Sequence, residues 1–224
     1  MKFIYVSLLL YVTAFASSQH LFLREQVSKI VPMKPHTNKK KARFFHLLVP
    51  AVQKVHKELM TQYKNIELDI NNAKNIQKIK ALKITYHVKT NKELLLALKP
   101  HQKSIVLAQA ALESSWGTSR FFVQANNIFG VRSINKKEPR IVAGRNKNVW
   151  LKKFNNLEES VRDYYKFIAI GKAFKEFRKV RMETYDVKKI IKKLDKYSEI
   201  GSEYPRRLNQ VIQSNKLIRY DQQH

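Results

Sequence analysis

No cysteine occurs in the 224 residues. Disulfides, thiol nucleophiles and cysteine-based zinc sites are therefore excluded, and stability rests on a packed core. Glycine and proline are scarce, at five and six. A turn-dense β architecture needs more of both, so the composition points to a mainly helical class. Acidic side chains are few: 17 stand against 44 lysines and arginines, for a net charge of +27. That imbalance asks for a polyanionic partner, whether nucleic acid, an anionic membrane surface or a wall polymer bearing carboxylates and phosphates. Charge alone does not choose among them. The lysines are dispersed along the chain, so part of the excess is solvated surface. No apolar run reaches the roughly 20 residues of a membrane span.

What is present begins with MKFIYVSLLLYVTAFA, which has Lys2, an apolar run from Phe3 to Tyr11 and the small-x-small ending Ala14-Phe15-Ala16. This pattern predicts a signal peptide over residues 1–18 and a periplasmic or secreted protein, with retention as an anchor the alternative. Export weighs against nucleic acid as the partner. Residues 19–42, with Pro32, Pro35 and Lys39-Lys40-Lys41, read as a basic linker or arm ahead of one domain over 43–219.

Within that domain, Phe44, Leu47, Leu48, Val52, Val55 and Leu59 predict an amphipathic helix over 43–64, with a kink at Pro50. A polar connection follows through 65–75, then a helix over 76–87. Thr90 and Glu93 form a capping box that starts a helix running to Leu98. His101 has no evident partner and reads as an exposed capping or loop histidine. Residues 131–155, with Pro139, Gly144 and alternating Val149 and Leu151, predict a hairpin. Helices over 157–168, 172–181, 186–194 and 203–215 complete the reading.

The most informative stretch is IVLAQAALESSWGTSRFFVQANNIFG at 105–130. Ile105, Leu107, Ala108, Ala111 and Leu112 predict a buried helix from Ser104 to Ser115 that carries one carboxylate, Glu113, on its last turn. The negative end of the helix dipole and the bulky Trp116 both favour the protonated acid there. A carboxyl that keeps its proton near neutral pH can donate it to a leaving oxygen, the main task in glycosidic cleavage. The plain alternative is a structural glutamate paired with Arg120.

ALESSWGTSRF followed by NNIFG resembles the glucosaminidase domains of glycoside hydrolase family 73, and within them the Bax-like group. KKARFFHLLVPAVQKVHKEL, LEESVRDYYKFI and YSEIGSEYPRRLNQVIQSNKL extend the resemblance in order along the chain. It implies a lysozyme-like helical domain with a small β-lobe, acting on peptidoglycan glycan strands at the N-acetylglucosaminyl-β-1,4-N-acetylmuramic acid bond. By the same resemblance the general acid falls on Glu113, and the first tyrosine of the C-terminal motif on Tyr197, facing the sugar. Ser198-Glu199 follow that tyrosine where the common family form has an aspartate-proline pair.

Many family members draw a second glutamate from the β-lobe. Glu138 is the only carboxylate in 117–157 and is the candidate here. Trp116, Asn127, Phe129, Trp150 and Tyr204 are the substrate-binding candidates, Trp150 as a ring that either stacks on a sugar or packs the lobe. One strong acid also suits a substrate-assisted route, in which the 2-acetamido oxygen attacks the anomeric carbon. A muramidase or lytic transglycosylase, or a non-catalytic wall- or nucleic-acid-binding protein, are the rival readings. No metal or cofactor is expected, since no His/Asp/Glu cluster has ligand spacing. The expected partners are glycan strands and an anionic wall or membrane surface, met by a monomer.

Overall fold

The computed structural model describes residues 35–143 and 149–222. The signal-peptide expectation therefore lies outside the described residues. Residues 40–224 form the compact unit that holds the site; of the segment before it, only the first turn of helix α1 is described.

Helix α1, Pro35–Asp69, is longer at both ends than its apolar pattern predicts. Proline suits a first helical turn and lysine is a good helix former, so the stretch from Pro35 to Lys41, expected as linker, is helical instead. Pro50 lies inside the helix, where it removes one backbone donor. Phe44, Leu48, Val52 and Val55 form its buried stripe against the main core. Tyr63 and Ile66 prolong that stripe into a smaller cluster with Ile79, Leu94 and Leu98, which explains why the helix continues through the expected polar connection.

Helix α2 (Ile76–Thr85) and helix α3 (Asn91–Leu98) supply the rest of that smaller cluster. Both halves of the Thr90–Glu93 capping box are present at the start of α3. Helix α4, Lys103–Glu113, is buried at every position from Lys103 to Ala111. Ile105, Val106 and Leu107 are each 1% exposed or less, and each contributes roughly 1.5–3 kcal/mol of burial. A helix so enclosed is a fixed platform for whatever its last turn carries. Its first turn is held from the far end of the chain, where Asp221 Oδ1 accepts the Ser104 N–H at 2.8 Å.

The chain leaves α4 through a tight turn in which Ser115, Trp116 and Gly117 take φ of 51°, 61° and 73°. Ser114 Oγ donates to the Ala110 carbonyl and accepts the Gly117 N–H, fastening that turn. Helix α5 (Arg120–Ala125) starts at the Ser119 cap and ends on left-handed Asn126. Strands β1 (Arg140–Val142) and β2 (Trp150–Lys152) pair antiparallel, with Ile141 opposite Leu151. This is the expected hairpin, reduced to three residues a side.

Helix α6 (Leu157–Ile170) is capped by Asn156. Helices α7 (Lys175–Glu183), α8 (Val187–Ile191) and α9 (Glu203–Ser214) follow, with a 3₁₀ turn at Leu217–Tyr220. The class is mainly α with one small sheet, as the composition indicates. His101 corrects the sequence reading: it is 1% exposed, with its ring packed against Tyr164, Tyr165 and Phe177. Three aromatic partners from α6 and α7 reach it across the fold, and none is near it in sequence.

Candidate active site

Glu113 ends α4, and the residue is open to solvent. Its carboxyl is nonetheless crowded by protein, and this desolvation raises its pKa above the ordinary carboxylate value. A hydrogen bond from Tyr204, which favours the charged form, partly offsets the effect. The alternative, a structural pair with Arg120, is not formed: Arg120 instead donates to the Val142 carbonyl and to Gln124.

Behind the carboxyl runs a buried file of polar groups. Tyr204 Oη donates to Glu113 Oε1 at 2.8 Å and accepts from Gln109 Nε2 at 3.1 Å. Gln109 Oε1 accepts from Tyr164 Oη, which lies 2.9 Å from His101 Nε2. The directions are mutually fixed. Because Tyr164 gives its proton to the glutamine carbonyl, it must accept from His101, so the imidazole carries its hydrogen on Nε2. Nδ1 is then the bare nitrogen, consistent with its having no partner. Burial, with help from Arg181 and His56, holds the His101 pKa well below its usual value, so the ring is neutral.

Every donor in this file points toward Glu113. Oε1 is therefore held as an acceptor, which leaves Oε2 as the oxygen to carry the proton when the carboxyl is in its acid form. Such an arrangement presents a general acid in one defined orientation.

Tyr197 stacks on Tyr204 with ring centroids 5.2 Å apart and an 18° interplanar angle. Its pKa is raised well above the phenol value, by burial and then by the Glu113 charge. The structure thus brings Glu113, Tyr197 and Tyr204 together. Tyr204, expected to bind substrate, is 2% exposed and acts as the anchor of the acid.

Asn127 and Phe129 also depart from the expected substrate contacts. The Asn127 amide donates to the Val131 and Lys152 carbonyls, and its oxygen accepts the Val131 N–H at 2.8 Å. At 1% exposure, it ties the loop after α5 to β2. Phe129 is stacked on Tyr164, with centroids 4.1 Å apart, and supports the buried file from behind.

Trp116 packs edge-on against Phe44 and Phe45 of α1, with Lys41 Nζ 4.5 Å above its ring. Trp150 stands on β2 with the Arg140 guanidinium 4.3 Å over its face. Neither ring joins the tyrosine cluster. Glu138 sits half-buried in the turn before β1, and its Oε1 is enclosed with no hydrogen-bond partner.

Gln109 and Tyr164 are site residues that sequence reasoning passes over, and His101 is one that it reads as exposed. Gln109 had a usable signal: it lies four residues before Glu113, on the same face of the same helix. No cluster of three or more His, Asp or Glu suited to a metal occurs among the described residues.

Residues 89–217 match the family model Glucosaminidase, described as mannosyl-glycoprotein endo-beta-N-acetylglucosaminidase. The chain is 30% identical over 121 residues to Protein bax of Escherichia coli K12, covering 51% of this chain and 43% of that one. It is 26% identical over 130 residues to exo-glucosaminidase LytG of Bacillus subtilis 168, covering 53% and 46%. The chain thus spans less than half the length of either curated relative. Among solved structures, the catalytic domain of the autolysin Auto from Listeria monocytogenes superposes over 88% of this chain and 95% of that one, at 18% identity and a TM-score of 0.49.

Proposed function

Because the chain belongs to the mannosyl-glycoprotein endo-beta-N-acetylglucosaminidase family, we propose that it hydrolyses peptidoglycan glycan strands, with Glu113 as general acid. The observation that carries this reading is the one-way file of hydrogen bonds ending on Glu113 Oε1. It leaves the other oxygen, Oε2, to protonate the glycosidic oxygen as the bond to the anomeric carbon breaks. Crowding of the carboxyl keeps that proton in place at the pH where the ordinary acid has lost it. The open position of Glu113 suits a polymer, which must enter and leave without threading.

The bond proposed is the one on the reducing side of N-acetylglucosamine. Peptidoglycan supplies that sugar in alternation with a muramic acid whose peptide carboxylates match the chain's charge of +27. Tyr197, stacked on the tyrosine that anchors the acid, is the residue we assign to the sugar. The second chemical role falls either to Glu138, activating a water, or to the substrate's own 2-acetamido oxygen. We favour the latter, since Glu113 is anchored by Tyr204 whereas Oε1 of Glu138, the other candidate, has no hydrogen-bond partner. The N-terminal apolar segment supports export to the wall, where a monomer suffices.

The test is digestion of purified peptidoglycan by the protein and by Glu113→Gln, followed by borohydride reduction and identification of new ends. Glucosaminitol formed by the protein and lost in the variant supports the proposal. Muramitol or anhydromuramic ends overturn the bond assignment, and no new ends overturn the activity.

A further inference from the structure

At the opposite end of α4 from Glu113, about 15 Å away along an 11-residue helix, a cavity of about 1060 Å³ opens between α1, the α3–α4 connection and α7. Its cationic lining residues are Lys54, Lys57, Lys64, Lys99, Lys103 and Arg181, against the carboxylates Glu67 and Asp221. The six cations outnumber the two acids, and the Oδ2 of Asp221 is buried without a hydrogen-bond partner. Glu67 accepts the Tyr63 hydroxyl, and Asp221 Oδ1 accepts the Ser104 N–H. The neighbouring His56 is pushed down to about 4, mainly by burial, and so adds no charge at neutral pH.

Arg181 sets this cavity apart from a merely basic surface. It is 4% exposed, makes no ion pair among the described residues, and gives one terminal nitrogen to the Leu96 carbonyl. Its Nε–H is buried with no partner. Burial, with Arg178 nearby, pushes its pKa down to about 9. A guanidinium held this way without a counter-anion is costly, and chains retain buried charges where something compensates them. Lys99, whose Nζ lies 5.9 Å from the Tyr63 ring centre and 5.7 Å from that of Tyr185, lines the same cavity.

We propose that this cavity is an oxyanion-binding site, in which the free Nε–H of Arg181 and the flanking lysines hold a carboxylate- or phosphate-bearing ligand. A planar guanidinium with an unused N–H matches either oxyanion. The lysines at the rim draw the anion in, and the low-dielectric walls strengthen their pull. The site is separate from the tyrosine cluster, so binding there does not depend on Glu113 or on the hydrolytic reading.

The test is NMR of the full chain labelled with ¹⁵N-arginine, following the Arg181 Nε–Hε signal, which Arg181→Lys identifies by its disappearance. Inorganic phosphate, citrate and sodium chloride are titrated at matched ionic strength. Saturable movement with phosphate or citrate, beyond the drift given by chloride, is expected. Saturation by phosphate alone assigns a phosphate-bearing ligand, and by citrate alone a carboxylate-bearing one. The variant Lys57→Gln with Lys64→Gln changes two exposed positions and should weaken the binding about three- to tenfold. Movement no different from that with chloride, or saturation untouched by the paired lysine variant, overturns the proposal.

Discussion

Tyr204 and Glu113 are 91 residues apart in sequence, and their side chains meet at 2.8 Å. The tyrosine donates, so the contact selects which carboxyl oxygen is free to act, besides holding the glutamate in place.

Replacing Glu113 by Gln should lower hydrolysis by about a hundred- to ten-thousand-fold, the range for losing a general acid. Stability carries a separate signature. An acid whose pKa is raised by folding binds its proton more tightly in the native state, so the native protein loses stability as pH climbs from the unfolded value through the raised one. Glu113→Gln has no such proton. Its melting temperature relative to the parent should therefore rise across that window, as measured by thermal melts from pH 4 upward.

Tyr204→Phe keeps the ring stack on Tyr197 and removes the hydroxyl. Because that hydrogen bond lowers the Glu113 pKa, its loss should move the alkaline limb of the pH–rate profile to higher pH. The maximal rate should fall about tenfold, the equivalent of one net hydrogen bond. An unmoved limb would remove the tyrosine from any role in setting the acid.

Gln109→Leu leaves the Tyr164 hydroxyl without its acceptor and Tyr204 without a donor, both in buried surroundings. At about 1–3 kcal/mol for each group left unsatisfied, the total cost should be roughly 2–6 kcal/mol. Denaturant unfolding measures it. Gln109→Glu separates packing from polarity: it keeps the volume but can donate to Tyr204 only while its carboxyl is protonated, so its cost should grow as pH rises.

Asn127→Ala tests the correction at that residue. Three hydrogen bonds between the loop after α5 and its neighbours disappear, and stability should fall by about 2–4 kcal/mol. KM for glycan fragments in the folded variant should be unchanged. A selective rise in KM would restore Asn127 to the sugar site.

Elements governed by local rules were legible in the chain. The Thr90–Glu93 box, the largely apolar helix that ends at Glu113 and the hairpin expected within 131–155 each rest on patterns or pairings no more than about a dozen residues apart. The file behind Glu113 was not, apart from its first step. Gln109 shares a helix face with the acid, but His101 to Tyr164 spans 63 residues and Gln109 to Tyr204 spans 95. Pairings of that length depend on how helices pack, which periodicity does not encode. Asn127 misled for a related reason: a polar residue in a distinctive string reads as a ligand group until its amide is seen fully occupied by backbone.

The bond from Ser104 N–H to Asp221 fixes where the smallest working fragment must stop. The family match ends at residue 217, and the domain expected from the sequence ends at 219. Cutting at either place discards the aspartate that fastens the first turn of the helix bearing Glu113. A fragment 43–219 should melt lower than 43–222, although the deleted tail lies at the end of α4 farthest from the acid. Trimming by sequence similarity would thus remove a clamp that similarity does not mark.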